Sequence, residues 1–413
     1  MNLKFYLRNI FLVLATALFS SASAQILTAE DSLNAGLERK YQSTYISGYG
    51  EVIFTADVDA KVNSADLRRN ILFIGHKFSD KIQFFSEMEL EHAFVSGENG
   101  TAAGGELAME QLFLKFNLTK STYITAGLFI PRIGIINENH LPTTFNGNER
   151  HQVEQQIIPS TWRELGIGLY TNVRAVPGLN LSCALMNGLN SSAFSYGTGI
   201  KDGKFGGSNA TASNLAITGA ALYYTGNFRI QASGYYGGSA GLTKREADSL
   251  QLSYGAFGTP VAAAEFNIQF LSQGFTFKTL ATAVSIPDAS AINRAYASNT
   301  PEIMAGFFAE AAYNLFYKSK KYSDKQLTAF CRYEFLDLNA EIPENGVWNG
   351  ALKKVYVTGG INFSPVRGVA IKLDYTQRLT GEPNNALWLN PFPQTLPYYT
   401  SNGFVKLGIA YSF

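Results

Sequence analysis

The sequence has little of what marks a helical membrane protein or a highly charged soluble domain. Beyond the N-terminal region no run of eighteen apolar residues occurs, which excludes transmembrane helices there. Charged residues make up only 16% of the chain, against about 25% in ordinary soluble domains. The formal charge of +1 argues against a nucleic-acid partner. Aromatic residues, at 13%, and glycine, at 38 residues, are abundant instead, so the chain is rich in strand formers and poor in solvated surface.

Cysteine and histidine are scarce as well. The two cysteines, Cys183 and Cys331, fall on predicted outward strand faces, where we interpret them as apolar side chains rather than a disulfide. None of the four histidines lies in a zinc-protease, nucleophile-elbow or paired-cysteine motif. The sequence therefore predicts no metal site, no cofactor and no enzymatic activity. The histidines are His76, His92, His140 and His151.

The N-terminal region has the pattern of an export signal. Lys4 and Arg8 precede an apolar run from Ile10 to Phe19, and Ala22-Ser23-Ala24 offers small residues for cleavage. The run is about half of the ~20 residues that a spanning helix needs. We expect residues 1–24 to be a signal peptide and 25–43 to be a short periplasmic segment. So short a segment leaves no room for the plug domain of an energy-coupled transporter.

From Thr44 onward the sequence alternates between apolar and polar residues with a period of two. In residues 227–238, for example, Phe228 and Ile230 alternate with Arg229 and Gln231. The pattern predicts an all-β fold, a transmembrane antiparallel β-barrel of about sixteen strands over residues 44–413. The predicted strands are 44–58, 68–78, 81–95, 107–119, 121–131, 163–173, 178–187, 214–225, 227–238, 260–271, 274–286, 302–317, 325–338, 352–363, 369–380 and 402–413.

Alternation alone does not separate a membrane barrel from a soluble sandwich, but the connections do. Short connections such as 79–81, 119–121 and 272–274 alternate along the chain with long ones such as 131–162, 187–214 and 380–402. Bacterial outer-membrane barrels have short periplasmic turns and long extracellular loops. Sixteen strands would also enclose an aqueous channel. We expect the loops 187–214 and 238–260, which are rich in small residues, to be flexible and extracellular.

The segment from Gly403 to Phe413 resembles the closing strand of a bacterial outer-membrane barrel. Val405, Leu407 and Ile409 alternate with small or polar residues, and the segment ends on an aromatic residue. The resemblance implies that Phe413 is part of the signal read by the barrel-assembly machinery. It also implies that outer-membrane lipid of a Gram-negative bacterium surrounds the apolar face.

The connection 131–162, the third long loop, differs from the others because it is charged and bracketed by prolines. Three motifs around it resemble the porin O/P family, whose phosphate-selective members are sixteen-stranded trimeric barrels with an inward-folded third loop: 127–134 (GLFIPRIG), 148–150 (NER) and 162–168 (WRELGIG). The resemblance implies a pore constriction in this loop and a homotrimer. The candidate constriction residues are Arg132, Glu138, His140, Glu149, Arg150, Glu154 and Arg163.

Charged residues on the predicted inward faces are the candidate pore lining. Glu87, Glu89 and Glu91 share one strand face with a spacing of about 7 Å between neighbours, so they should face basic groups or attract cations. The set contains both signs, and the sequence predicts a mixed field rather than phosphate selectivity. The full set is Glu87, Glu89, Glu91, Arg229, Arg332, Lys372, Asp374, Arg378 and Lys406.

These features predict an outer-membrane porin that lets small hydrophilic solutes or ions diffuse passively, narrowed by its third loop. Two alternatives stay open at this point. One is a barrel that does not conduct and acts as an adhesin or scaffold through its loops. The other is a transporter of hydrophobic solutes, which would need an apolar pocket in the lumen; the charged inward faces argue against it.

Overall fold

The computed structural model describes residues 43–93, 105–384, 387 and 399–413, and within them sixteen strands form one closed antiparallel barrel. The predicted signal peptide, 1–24, and nearly all of the segment 25–43 lie outside these residues. The strands are β1 Thr44–Asp57, β2 Val62–Lys77, β3 Ile82–Glu91, β4 Leu107–Asn117, β5 Thr122–Phe129, β6 Glu164–Asn172, β7 Leu179–Asn187, β8 Leu215–Thr225, β9 Phe228–Gly237, β10 Val261–Ser272, β11 Phe275–Ser285, β12 Ile303–Asn314, β13 Gln326–Glu341, β14 Lys353–Ser364, β15 Val369–Thr380 and β16 Ser401–Ser412.

Each strand pairs with its neighbours in sequence, and β1 pairs with β16 to close the ring. At this seam Val52 lies opposite Ile409 and Thr55 lies opposite Lys406. Closure satisfies the backbone groups that an edge strand would leave unpaired. The prediction of an all-β antiparallel barrel of about sixteen strands is confirmed. Most predicted boundaries lie within three residues of those observed, but β2 begins six residues before the predicted position 68, so the β1–β2 connection is only 58–61.

The predicted two faces are present on the strands. On β9, Arg229 and Gln231 are buried inside the barrel, while Phe228 is 43% exposed on its outer surface. On β16, Lys406 points inward and Ile409 is 55% exposed outward. Polar residues inside and large apolar residues outside reverse the arrangement of a soluble barrel and are the arrangement of a transmembrane one. Cys183 and Cys331 both lie on the exposed outer face.

Within the residues that the structure describes, three short α-helices occur in the long connections. They are α1 Gln152–Gln156, α2 Lys244–Leu250 and α3 Ala289–Tyr296. The N-terminus of α2 carries a capping box, in which Thr243 and Glu246 each accept a backbone N–H of the other. In the part of the chain that the structure describes, no helix is long and apolar enough to cross a bilayer.

The loops 188–214 and 238–260 pack inward, so the expectation that they are flexible decoration is wrong. Leu189, Phe194 and Ile200 are at most 3% exposed, and Leu252 is 6% exposed. They join an apolar cluster that includes wall residues such as Phe308 on β12. The reason is that a few large apolar side chains, spaced among many small residues, suffice to fix a loop against an apolar wall. Part of the barrel interior is therefore a packed core.

Candidate pore constriction

The connection between β5 and β6, residues 130–163, lies inside the barrel and is called the inner loop here. Its own fold is organised by Glu154, which is 0% exposed. One carboxylate oxygen of Glu154 accepts the backbone N–H groups of Ile135 at 2.6 Å and Ile136 at 2.8 Å. The other oxygen lies 2.9 Å from Nδ1 of His151. Because α1 carries both His151 at its N-cap position and Glu154 in its first turn, this one helix holds the two halves of the loop together.

Strand β15 fixes the middle of the inner loop through Lys372, which is 2% exposed. Its ammonium donates to the carbonyl oxygens of Pro142 at 2.5 Å, Phe145 at 3.0 Å and Gly147 at 2.8 Å. The same ammonium lies 4.1 Å from the centroid of the Phe145 ring. A single buried cation therefore satisfies three carbonyls and sets the path of residues 142–147.

The next residues of the loop bind the same wall. The backbone N–H and the side-chain amide of Asn148 each donate to Asp374 of β15 at 2.7 Å. The amide also donates to the carbonyl oxygen of Lys406 on β16 at 3.2 Å. The N–H of Gly147 donates to Asn362 of β14 at 3.2 Å. Asp374 thus acts as an acceptor for the loop rather than as a free carboxylate in a water-filled lumen.

Strands β12 and β13 hold the loop by a buried group of three charged side chains. Arg332 lies 3.3 Å from Glu310 and 3.0 Å from Glu334, and all three side chains are at most 2% exposed. Arg332 donates to the carbonyl oxygens of Asn146 at 3.3 Å and Glu149 at 3.2 Å. Asn146 in turn donates to Glu310 at 2.8 Å. Buried pairs of this kind add little net stability but strongly penalise the loss of one partner.

Glu149 of the inner loop bridges two strands on opposite sides of the β1–β16 seam. Its carboxylate lies 2.6 Å from Arg68 of β2 and 3.3 Å from Lys406 of β16. Burial acts to raise the pKa of Glu149, but the positive charges of Lys406 and Arg68 outweigh it and lower the pKa to about 2. Glu149 is therefore ionised at neutral pH and links β2 to β16.

His151 is fully buried and stacks on Phe308 with a centroid distance of 3.9 Å. Its Nδ1 faces Glu154 at 2.9 Å and its Nε2 faces Glu310 at 3.7 Å. Burial alone would lower the pKa of His151, but hydrogen bonding to Glu154 and Glu310 raises it above its ordinary value of 6.5. The imidazolium form is thus the one that the surroundings favour.

Five polar side chains meet where the inner loop approaches β1, β3 and β4. Nε2 of His140 lies 3.2 Å from Glu87 and 3.5 Å from Glu110. The hydroxyl of Tyr49 donates to Glu87 at 2.6 Å, and its oxygen lies 3.3 Å from Glu110. Thr161 donates to the other oxygen of Glu110. All of these side chains are buried.

Beside this cluster lies a second charged group on the same wall. Arg69 of β2 lies 2.9 Å from Glu51 and 3.6 Å from Glu89. Arg150 of the loop is 7% exposed and donates to the carbonyl oxygen of His140 at 3.3 Å. Burial, followed by the like charge of Arg69, lowers the pKa of Arg150 from its ordinary value.

The remaining candidate residues take these positions. Arg132 and Arg229 both pair with Glu138. Arg163 lies 4.0 Å from Glu110. Arg378 lies half-buried with its guanidinium 5.2 Å from the Phe404 ring, and Glu91, at the end of β3, lies opposite Arg69 in the strand register. The structure therefore brings most of the predicted constriction and lining residues into contact with one another, through the inner loop.

Two β-bulges supply charged residues that the sequence analysis did not single out. Between β3 and β4, Glu87 pairs with Gln111 and Met88 pairs with Met109, which leaves Glu110 without a partner. Between β1 and β2, Glu51 pairs with Arg69 and Val52 pairs with Leu67, which leaves Arg68 as the extra residue. A bulge re-aims a side chain that strict alternation would place elsewhere. The signal in the sequence is two adjacent polar residues, Glu110-Gln111 and Arg68-Arg69, interrupting an alternating strand.

Water-accessible space remains on both sides of the inner loop. A cavity of about 1090 Å³ opens toward the short turns and is lined by Tyr45, Glu87, Arg132, Glu138 and His140 among others. A second cavity, of about 340 Å³, lies toward the long loops and is lined by charged residues of both signs: Arg68, Glu149, Arg332, Glu334, Arg378 and Lys406.

The inner loop separates these spaces. A third cavity, of about 260 Å³, shares Glu138 with the first and is lined by Lys372 of β15, whereas Thr376 of the same strand lines the cavity near the long loops. Asp374, between them, is the residue that Asn148 binds. Within the described residues, the cavities on the two sides of Asn148 share no lining residue.

Comparison with known proteins identifies the fold. No family model matches the chain. An uncharacterized protein of Aquifex aeolicus is 28% identical over 345 residues, which cover 80% of this chain and 75% of that protein. Among solved structures, the outer membrane channel DcaP of Acinetobacter baumannii aligns with a TM-score of 0.51 at 13% identity, covering 90% of this chain and 97% of that one. The anion-selective porin from Comamonas acidovorans aligns with a TM-score of 0.50 at 12% identity, covering 90% of this chain and 99% of that one.

These comparisons correct the prediction that the chain is not an enzyme. A loop-deletion mutant of OmpT of Vibrio cholerae aligns with a TM-score of 0.52 at 9% identity, covering 90% of this chain and all of that one. OmpT is described as an outer membrane protein and not as a channel, so the shared fold does not restrict the chain to diffusion. The prediction depended on the lack of short motifs, and catalytic residues can come together from separate strands without one.

At such identities the likeness establishes the fold alone. The chain folds as a closed sixteen-stranded antiparallel barrel of the type found in outer-membrane porins.

Proposed function

We propose that this protein is a channel of the Gram-negative outer membrane, through which small hydrophilic solutes or ions diffuse passively. The observation that carries the proposal is the inner loop: it lies inside a barrel wide enough to conduct, with cavities lined by charged residues on both of its sides. The descriptions of DcaP as a channel and of the Comamonas protein as a porin support this assignment. The inner loop, 131–162 by the sequence, is the constriction.

The geometry further favours a gated channel over a permanently open one. Gly147 and Asn148 lie between the cavities near the short turns and the cavity near the long loops, and they hydrogen-bond to Asn362 and Asp374 of the wall. The passage therefore opens when this part of the loop leaves β14 and β15. Because the cavity near the long loops is lined by both arginine and glutamate, we expect weak selectivity between anions and cations.

Membership of the porin O/P family, a homotrimer and recognition of Phe413 by the barrel-assembly machinery are parts of the same proposal. The motifs around residues 127–168 support the family. A trimeric form of OmpT of Vibrio cholerae, similar with a TM-score of 0.51 at 9% identity, supports the oligomer. The apolar outward face of β16, with Leu407 and Ile409 exposed, supports contact with outer-membrane lipid.

The test is planar-bilayer conductance of the purified, refolded protein under a salt gradient. Discrete current steps with a small reversal potential are expected, with long closed periods that shorten when loop contacts are removed. Absence of steps from folded protein, in the wild type and in loop variants alike, would overturn the proposal.

That outcome would favour a barrel that binds a partner through its long loops and does not conduct. One observation supports this second candidate: the cavities on the two sides of Asn148 share no lining residue.

A further inference from the structure

Three potential metal ligands from distant parts of the chain converge at one point inside the barrel. Glu87 of β3, Glu110 of β4 and His140 of the inner loop each offer one ligand atom, and these atoms lie within 4.8 Å of one another. His140 and Glu110 are 3% and 0% exposed, and Glu87 is 4% exposed. Sequence spacing could not reveal this set, because 53 residues separate Glu87 from His140.

The distances suit a tetrahedral metal. Zinc binds imidazole nitrogen and carboxylate oxygen at about 2.0–2.1 Å, so neighbouring ligands of a tetrahedral site lie about 3.3–3.4 Å apart. Nε2 of His140 lies 3.2 Å from the Oε1 of Glu87 and 3.5 Å from the Oε2 of Glu110. Two of the three ligand-to-ligand distances therefore match a tetrahedral ion, and the third is below 4.8 Å.

The supporting contacts hold the two carboxylates in the orientation that such a site needs. The amide of Gln111 donates to the Oε2 of Glu87 at 2.6 Å. Thr161 donates to the Oε1 of Glu110. In each carboxylate one oxygen is thus held by a donor, while the other faces Nε2 of His140. The hydroxyl of Tyr49 also donates to this second oxygen of Glu87 at 2.6 Å and lies 3.3 Å from that of Glu110, so it must turn away when an ion binds. Partners of this kind orient ligands in established metal sites.

The proposed ligands can be reached from a water-accessible cavity, and two arginines lie near them. Glu87, Tyr49 and His140 line the cavity of about 1090 Å³ that opens toward the short turns, so an ion and a water ligand can reach the site from that side. Arg163 lies 4.0 Å from Glu110, and Arg150 binds the carbonyl oxygen of His140. These two cations offset part of the carboxylate charge, and we expect weaker binding than at a structural zinc site.

We propose that Glu87, Glu110 and His140 form a binding site for a divalent transition-metal ion of the Zn²⁺ class, with water from the cavity as the fourth ligand. Binding joins the inner loop to β3 and β4 and requires the neutral imidazole, because the ion takes the lone pair of Nε2. The site is independent of the channel proposal, because an ion can bind whether or not the barrel conducts.

The experiment titrates the full, folded chain in detergent with Zn²⁺ alone, in competition with a chromophoric chelator. One ion per chain is expected. His140→Gln and Glu110→Gln should each weaken binding by more than the ~10–100-fold that loss of a supporting residue typically costs.

His151→Gln is the matched control. His151 is equally buried between two carboxylates. Glu154 faces its Nδ1 and Glu310 faces its Nε2, so no single ion can bind one ring nitrogen and both carboxylates. Because His151 also stabilises the inner loop, this variant measures what loss of a buried histidine from that loop costs by itself, and it should retain clearly higher zinc affinity than His140→Gln. His92→Gln controls for the exposed pair of His92 and Asp66. Folding of every variant is checked by its heat-dependent gel mobility.

Two results would overturn the proposal: no saturable binding by folded wild-type protein, or binding that survives both His140→Gln and Glu110→Gln. If neither variant folds, X-ray absorption of the zinc-loaded wild type decides. A shell of one imidazole nitrogen and oxygen ligands supports the site, and a shell with several imidazoles contradicts it.

Discussion

Lys372→Met should release the middle of the inner loop without opening the barrel. Methionine retains much of the volume of the lysine stem but removes the ammonium that donates to the carbonyl oxygens of Pro142, Phe145 and Gly147. The backbone pairing of β15 with β14 and β16 does not involve this side chain. The change therefore acts on the loop and leaves the wall intact.

The size of the effect follows from the burial of these contacts. A hydrogen bond to a charged group contributes about 1.5–3 kcal/mol, but three bonds that share one ammonium are not additive. Loss of the ammonium leaves these buried carbonyl oxygens unpaired, which costs about 1–3 kcal/mol for each and about 3–5 kcal/mol for the three together. At about 1.4 kcal/mol per factor of ten, the population with the segment released should rise about 140- to 4,000-fold.

Hydrogen–deuterium exchange of peptides covering residues 142–150 measures this population directly. Lys353→Met is the matched control, because Lys353 is exposed on the neighbouring strand β14, with its ammonium 5.5 Å from the Phe335 ring. Faster exchange in Lys372→Met alone is expected. Unchanged exchange of 142–150 in folded Lys372→Met would refute the reasoning, because Lys372 would then not hold the loop.

Three further predictions concern the same loop. Because the pKa of Glu149 is lowered from 4.5 to about 2, its ion pairs stabilise the loop above pH 4.5 and are lost as the pH falls toward 2. The protection factors of amides near residue 149, which correct for the pH dependence of intrinsic exchange, should fall over that range in the wild type but not in Glu149→Gln. Because the pKa of His151 is raised above 6.5, its charged contacts are complete below pH 6.5 and are lost as the pH rises through the raised pKa; alkaline pH should loosen α1 in the wild type, and His151→Gln should show no such step in a pH series of exchange. Ile157→Ala, at a fully buried position, should destabilise the loop by about 2–5 kcal/mol. The control is Ile217→Ala, at an outward position that is 50% exposed, because this change leaves no internal cavity. If chemical denaturation shows equal losses of stability in the two variants, the assignment of inside and outside is contradicted.

Much of the barrel could be predicted because every strand follows the same rule: inward polar residues alternate with outward apolar ones. Alternation on β9, where Arg229 points inward and Phe228 outward, depends only on backbone geometry and on the cost of placing charge in lipid. The same rule placed Lys372 and Asp374 on the inward face of β15. Long-range packing does not interfere with it, so the sequence alone suffices.

The rule fails where the strand contains an extra residue. Arg68 and Glu110 are bulge residues, and counting by two assigns the wrong face to part of the strand around each. The inward packing of Leu189 and Phe194 was missed for another reason: burial of a loop depends on the wall that it meets, which local composition does not encode. The partners of the inner loop, such as Asn148 with Asp374, are separated by 226 residues and follow only from the closed ring.

The bridge made by Glu149 has a consequence for assembly of the barrel. Pairing β1 directly with β16 closes a chain segment of several hundred residues, and the entropic cost of closure grows with the logarithm of its length. Glu149 lies 81 residues from Arg68 and also contacts Lys406 of β16. An inner loop already seated on the early strands therefore presents a charged anchor to β16 and divides one long closure into two shorter ones. In this protein a residue of the inner loop therefore lies where it can guide the pairing of β1 with β16, the two strands that close the ring.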